Sequence, residues 1–241
     1  MLQIPAPSTI PVIVKDRPLA MLAIDTAAVR AIAQAAVSVE LFTIPLYMCT
    51  MYSIHGTHQI NSKGLDYYKG REWPGMATSA EPGSANEKAF NIIFSVFIQE
   101  MLHLQMAANL ASAIGVAPSF TGAPLQTPRH GWKCYGPQQS IIPHIVDLKD
   151  TRDFSDVRVN LEALNSNQCE LFLAIEQPEQ QAREQLRGLE VDEQKYFPAV
   201  PLNGWTVGET AADLPLFGTI GYMYECCAHY INIEYTDGQT L

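Results

Sequence analysis

Positive charge is scarce in this sequence. Only 15 of 241 residues are Lys or Arg, against 25 Asp or Glu, giving a formal net charge of -10, and the basic residues form no run. Phosphate backbones are bound by clustered cations, so this composition argues against a nucleic-acid partner. Charge of either sign is sparse, at 17%, while 47% of residues are hydrophobic. That balance permits a sizeable core and leaves a weakly charged surface suited to contacts between copies, so a homo-oligomer is expected. CxxC pairs are missing as well. The five cysteines, two of them adjacent, read as free thiols in a reducing compartment. The opening "MLQIPAPSTIPVIVKD" lacks the basic start and continuous apolar block of a signal peptide, and a cytoplasmic location is expected. Two apolar segments are long enough to be taken for membrane spans, but each carries Glu, Gln or His on its stripe. They are expected to be buried helices, with no membrane partner. There is no short-period repeat, phosphate loop, Ser–His–Asp set or dinucleotide fingerprint.

Helical periodicity fills much of the remainder, and residues 1–241 read as one domain. The spacing predicts a first helix over 25–54, with Asp25 as its cap, the stripe Ala33, Val37, Glu40, Ile44, Tyr47, Met51, and a kink at Pro45. Residues 55–83 read as a long loop. A second helix is predicted over 84–114, where "SANE" has capping-box spacing and Gly115 is a natural terminator. Residues 116–158 carry several prolines and one strand-like patch, "SIIPHIVDL". Helices over about 159–187, bent near Pro178, and about 213–235 complete the plan. Two long helices, a long connection and two more helices describe an all-α four-helix bundle of ferritin-like topology, with one long crossover and irregular Pro/Gly-rich insertions.

The chemistry-bearing residues interrupt the apolar stripes. In "FIQEMLHLQ", Glu100 and His103 lie one helical turn apart on the face shared by Ile93, Val96, Phe97, Leu104 and Ala107. An isolated carboxylate there is costly unless it is paired or holds a cation. A simple buried Glu–His hydrogen bond is the alternative. Glu40 is the only acid between Asp25 and Asp66, and it lies on the stripe of the first helix. Glu176 flanks the third stripe, with a helix cap or surface acid as its other reading. Glu225 and His229 share a face of the fourth helix, where an exposed i,i+4 pair is the alternative. Glu40, Glu100, His103, Glu176, Glu225 and His229 thus form a candidate metal set. It approximates two Glu plus two Glu-x-x-His, although the fourth helix offers Glu-x-x-x-His and has Ala228 at the expected His position. Carboxylates with imidazole suit iron, a di-iron pair first, or manganese, better than tetrahedral zinc. Tyr47, Tyr222 and Tyr224 are candidate site-lining residues. His55 and His58 in "SIHGTH" form a weaker metal candidate, and His130 and His144 stay unassigned.

The segments "VELFTIPLYMCTMYSI", "IQEMLHLQMAANLASAIG", "FLAIEQPE" and "TIGYMYE" resemble the ferritin-like domain of the VioB-type iminophenylpyruvate dimer synthases and of many stand-alone bacterial proteins. The resemblance runs from about residue 25 to 235 and is most specific in the first two segments. It implies a helical bundle and a role in oxidative natural-product chemistry, with Glu40, Glu100, His103, Glu176 and Glu225 as the matching polar residues. Relatives tend to carry an acid where this chain has Tyr222. The full-length synthases are associated with haem, so the resemblance leaves haem open as a cofactor, with His103 or His229 axial. The leading expectation is a non-haem metal oxidase or oxygenase that uses O2 or peroxide on a small molecule of bacterial secondary metabolism. Residues 55–83 and 116–158 would then shape access. A haem enzyme and a non-catalytic assembly bundle are the alternatives.

Overall fold

A computed structural model describes residues 14–54, 83–129, 131–186 and 193–241. His55, His58 and His130 lie outside the described residues, as does nearly all of the expected loop 55–83. Helix α1 spans Leu22–Tyr52 and carries Pro45 without ending. From Ala28 to Phe42 it is buried on almost every side, so it is the axis of the fold rather than a surface helix. The stretch Leu19–Tyr52 is long and apolar enough to cross a membrane, yet 67% of its most apolar window is buried inside the protein. Asp25 does not cap this helix. It sits in the first turn, 1% exposed, and accepts hydrogen bonds from Arg17 Nη2 (2.7 Å) and the Tyr235 hydroxyl (3.0 Å).

Helix α2 spans Ala85–Ala113. The Ser84 hydroxyl accepts from Glu87 N as its cap, while the Glu87 carboxylate accepts from Gly83 N, one residue before the reciprocal partner the sequence suggests. Gly115 ends the helix at φ +78°, a left-handed conformation that favours glycine. Arg30 of α1 donates to Ile114 O and Thr43 to Glu100, so ascending positions on α1 meet descending ones on α2. The two helices are antiparallel.

The third helix is shorter than its periodicity predicts. Residues 159–165 are not helical, because Val157 and Val159 point inward from an extended segment. There Val159 N donates to Gln139 O, and Gly136 N to Val159 O. Helix α3 starts only where the Asn165 side chain caps Gln168 N, and spans Ser166–Glu176. Beyond Pro178, α4 spans Glu179–Leu186. Thr50 meets Gln168 and Tyr47 meets Phe172 and Glu176, so α3 runs antiparallel to α1 and parallel to α2, as a long crossover allows. Helix α5 spans Ile220–Ile231, not 213–235. Thr219 caps it, and Gly218 precedes it at φ +67° with the Phe197 ring packed where a Cβ would sit. Tyr224 reaches Glu40 and Tyr235 reaches Asp25, so this segment returns toward the start of α1.

The crossover holds two short antiparallel hairpins, β1 (Gln126–Thr127) with β2 (Gly131–Trp132), and β3 (Ile141–Ile142) with β4 (Val146–Asp147). Only the second lies in the expected strand-like patch. Leu125, Ile142, Ile145, Val146, Leu148, Val157 and Val159 are buried in the same core as α1 and α5. This insertion is therefore a structural wall, not the access loop the sequence suggests. A second, smaller cluster (Tyr47, Met51, Ile54, Phe90, Ile93, Phe97) lies toward the other end of α1.

Asp25 ties both ends of the described chain to α1. Asp25→Ala is expected to lower unfolding free energy by about 2–4 kcal/mol in urea titrations at neutral pH, and Tyr235→Phe by about 1 kcal/mol. Losses within measurement error for both variants would mean the seam contributes nothing to stability.

Candidate metal centre

A polar layer interrupts the apolar packing of α1 against α2. On α1, Glu40 falls after Val39 and before Phe42 of the larger cluster, one turn from Thr43 and two from Tyr47 of the smaller one. On α2, Glu100 takes the stripe position between Phe97 and Ala107. Helix periodicity thus delivers both carboxylates to the plane where α1 and α2 face each other. Glu40 is 2% exposed and Glu100 is 3% exposed, whereas His103, one turn further on, is 46% exposed at the edge of the layer. The inward imidazole expected from the helical wheel is thus half in solvent.

Glu40, Glu100 and His103 each offer one ligand atom within 4.8 Å of the others. His103 Nδ1 lies 3.3 Å from Glu100 Oε1 and 3.8 Å from Glu40 Oε2. Each carboxylate is also anchored from behind. Tyr224 of α5 donates to Glu40 Oε1 at 2.8 Å. The Thr43 hydroxyl, 2.9 Å from the Glu40 carbonyl, donates to Glu100 Oε2 at 2.5 Å. Glu176 is the last residue of α3 and exposed, but its Oε1 accepts a 2.7 Å bond from the buried Tyr47 hydroxyl.

This leaves Glu40 Oε2 buried without a hydrogen-bond partner. Burial, more than any neighbour, pushes the Glu40 carboxyl up to about 7. Glu100 and Glu176 push in the same direction, and Tyr224 and His103 pull it down. Burial also raises Glu100, against the Thr43 and His103 contacts. The phenols of Tyr47 and Tyr224 are raised first by burial and then by the adjoining carboxylates, so both remain donors.

An orphaned carboxylate oxygen, a second carboxylate and an imidazole nitrogen converge from two helices, and they fit a divalent ion. Donors about 2.1 Å from an octahedral ion stand roughly 3–4 Å apart, which matches both His103 separations. Glu40, Glu100 and His103 would hold it, with Glu176 nearby on α3. The other predicted ligands are not brought together with these. Glu225, 46% exposed, pairs with His229 at 3.5 Å, the i,i+4 arrangement of an ordinary helix surface. Helix α5 turns Met223, Cys226, Cys227 and Tyr230 inward, leaving the Glu225 carboxylate outside. Tyr222 likewise lies away from the site. Its hydroxyl donates to Pro198 O at 2.8 Å, and its ring packs edge-on to Phe197. Thr43 is the site residue that sequence reasoning passed over, although its position three residues after Glu40 signals the same helix face.

The Glu40 and His103 side of this layer opens on a cavity of about 540 Å³, lined also by Met106, Ala107, Leu110, Ile220, Gly221 and Tyr224.

A model of the ferritin-like family matches residues 33–229 of this chain. Among solved structures, a ferritin-like protein from Caulobacter vibrioides is similar at a TM-score of 0.50 and 20% identity, over 86% of this chain and 52% of that one. The chain thus spans about half the length of that protein, and the likeness is one of fold. No curated protein matches the chain.

Because Glu40 titrates near 7 when folded and near 4.5 when unfolded, the metal-free folded state binds more protons between those values. Raising the pH through that window is therefore destabilising. Glu40→Gln is expected to match the metal-free wild type at about pH 4 and exceed it by about 3 kcal/mol at about pH 8, measured by denaturant unfolding. Equal stabilities at both pH values would contradict the buried, unpaired carboxylate.

Proposed function

The chain belongs to the ferritin-like family, and from that premise we propose that it is a non-haem metal oxidoreductase that uses O2 or peroxide to oxidise a small molecule. The observation that carries the proposal is the convergence of Glu40, Glu100 and His103 around a carboxylate oxygen with no protein partner. A bound redox-active ion, iron first and manganese second, would supply the electron-transfer chemistry toward the oxidant. The chain's own residues do the rest. Glu40 and Glu100 neutralise a divalent ion, and Tyr224 and Thr43 fix the carboxylate rotamers through their second oxygens. Tyr224 also keeps a proton 2.8 Å from Glu40 Oε1 at the cavity wall, so protons exchanged during oxidation pass between two adjacent groups. The apolar wall of Met106, Ala107, Leu110 and Ile220 limits water beside them.

The geometry favours one ion per chain, because Glu225 and His229 pair with each other outside the cluster. A second ion is the reading favoured by Glu176, whose charge acts on both Glu40 and Glu100. The segments around Glu40 and Glu100 support placing the chain with the VioB-type synthase domains, in oxidative natural-product chemistry. Exposed apolar residues along α2, among them Ile92, Ile98 and Leu102, support self-association.

Protein purified without oxygen is expected to contain about one iron or manganese per chain. Glu100→Ala and His103→Ala should each lower metal affinity by at least about tenfold while leaving the helical circular dichroism in place. Two ions per chain would support the Glu176 reading, and a Soret band would support haem instead. Absence of any bound metal, with variants affecting folding alone, would mean the polar layer only sets helix register.

A further inference from the structure

We propose that the cavity beside Glu40 and His103 is a binding site for a neutral, mainly apolar small molecule, and that it discriminates against anions. The proposal rests on the metal reading only for which end of the ligand reacts; binding itself follows from the cavity. At about 540 Å³ the space falls in the range of small-molecule sites. Its wall is built from Met106, Ala107, Leu110, Ile220 and Gly221, and its polar groups gather at one end, where Tyr224, Glu40 and His103 meet. Such a site holds an apolar body by burial and orients it through one hydrogen-bonding group directed at the Tyr224 end.

Charge decides the class. Among the described residues no Lys or Arg lines the cavity. Glu40 faces the cavity directly, and Glu100 stands within 4.8 Å of Glu40 and His103. One divalent ion on these two carboxylates leaves no net positive charge to attract a further carboxylate or phosphate, and Glu176 adds negative charge from α3. An anionic ligand would exchange its hydration for acids without a compensating cation.

Gly221 is the lining residue at which a side chain is simplest to add. It lies in the first turn of α5, away from the left-handed region, and a Cβ there would meet only Thr219 Oγ1, at 3.9 Å. A Cβ is therefore accommodated there, and helix propensity improves over glycine. Met106, 59% exposed on the cavity wall, is a second position where substitution leaves the core untouched.

The test is equilibrium binding of 2-naphthol and 2-naphthoate, a neutral and an anionic probe of one shape, followed by probe fluorescence at pH 7.5. Metal content is measured on the same protein as purified. 2-Naphthol is expected to bind at least about tenfold more tightly than 2-naphthoate. Gly221→Leu should weaken 2-naphthol by at least about tenfold with unchanged thermal unfolding and metal content, and Met106→Lys should narrow or reverse the preference between the two probes. Equal binding of the two probes, or full 2-naphthol binding by a folded Gly221→Leu, overturns the proposal. A metal-free sample that retains the preference upholds the cavity inference and counts against the metal reading alone.

Discussion

Two carboxylates buried side by side set the terms for the rest of this structure. Like charges less than 4.8 Å apart repel by about 3–4 kcal/mol at an effective dielectric near 20, before the cost of dehydrating each. A bundle this apolar had cheaper options at positions 40 and 100. The surroundings instead spend a threonine and a tyrosine on holding these acids in place. Three of the four carboxylate oxygens have a hydroxyl donor or an imidazole beside them, and the fourth, Glu40 Oε2, has no hydrogen bond. A cation would satisfy that last oxygen and offset the repulsion together, which no single neutral side chain in the layer does.

The layer also organises the apolar core. The larger cluster packs the first two thirds of α1 against the crossover and α5, and the smaller one packs the end of α1 against the start of α2. Glu100 lies between Phe97 of the smaller cluster and Ala107 of the larger one, and Glu40 lies within the larger cluster between Val39 and Phe42, so both carboxylates are flanked by packed side chains. Phe172 of α3 touches both clusters and packs at a tilt on Tyr47, whose hydroxyl donates to Glu176. The burial that strains the acids thus also fixes the phenols that orient them. The cavity beside Glu40 and His103, lined also by Gly221 and Met106, opens the layer on that side.

The long helices and the two buried acids were legible because local pattern determines them. Glu40 is the sole acid in a long apolar stretch, and Glu100 interrupts a continuous stripe of Phe90, Ile93, Phe97, Ala107 and Ala111. What the sequence concealed depends on distant partners. Val159 continues a helical period but is drawn into extended pairing with Gly136 and Gln139, and α3 starts only after its cap at Asn165. Residues 214–219 are not helical, because Phe217 N and Gly218 N donate to His144 O and Ile145 O and Gly218 turns at φ +67° against Phe197, which shortens α5 at its start. Glu225 and His229 share a helix face, but tertiary packing decides which face turns inward, and it chose the side of Met223, Cys226 and Tyr230. The same packing made Tyr224 rather than Tyr222 the phenol at the site.

The central claim, that a cation holds Glu40, Glu100 and His103 together, is tested most directly by anomalous X-ray diffraction at the iron and manganese edges on crystals of the metal-loaded protein. The account predicts a peak within coordination distance of one oxygen from each glutamate and of the His103 ring. A peak elsewhere, or a fully loaded crystal in which the two carboxylates bond only to protein and water, would contradict it.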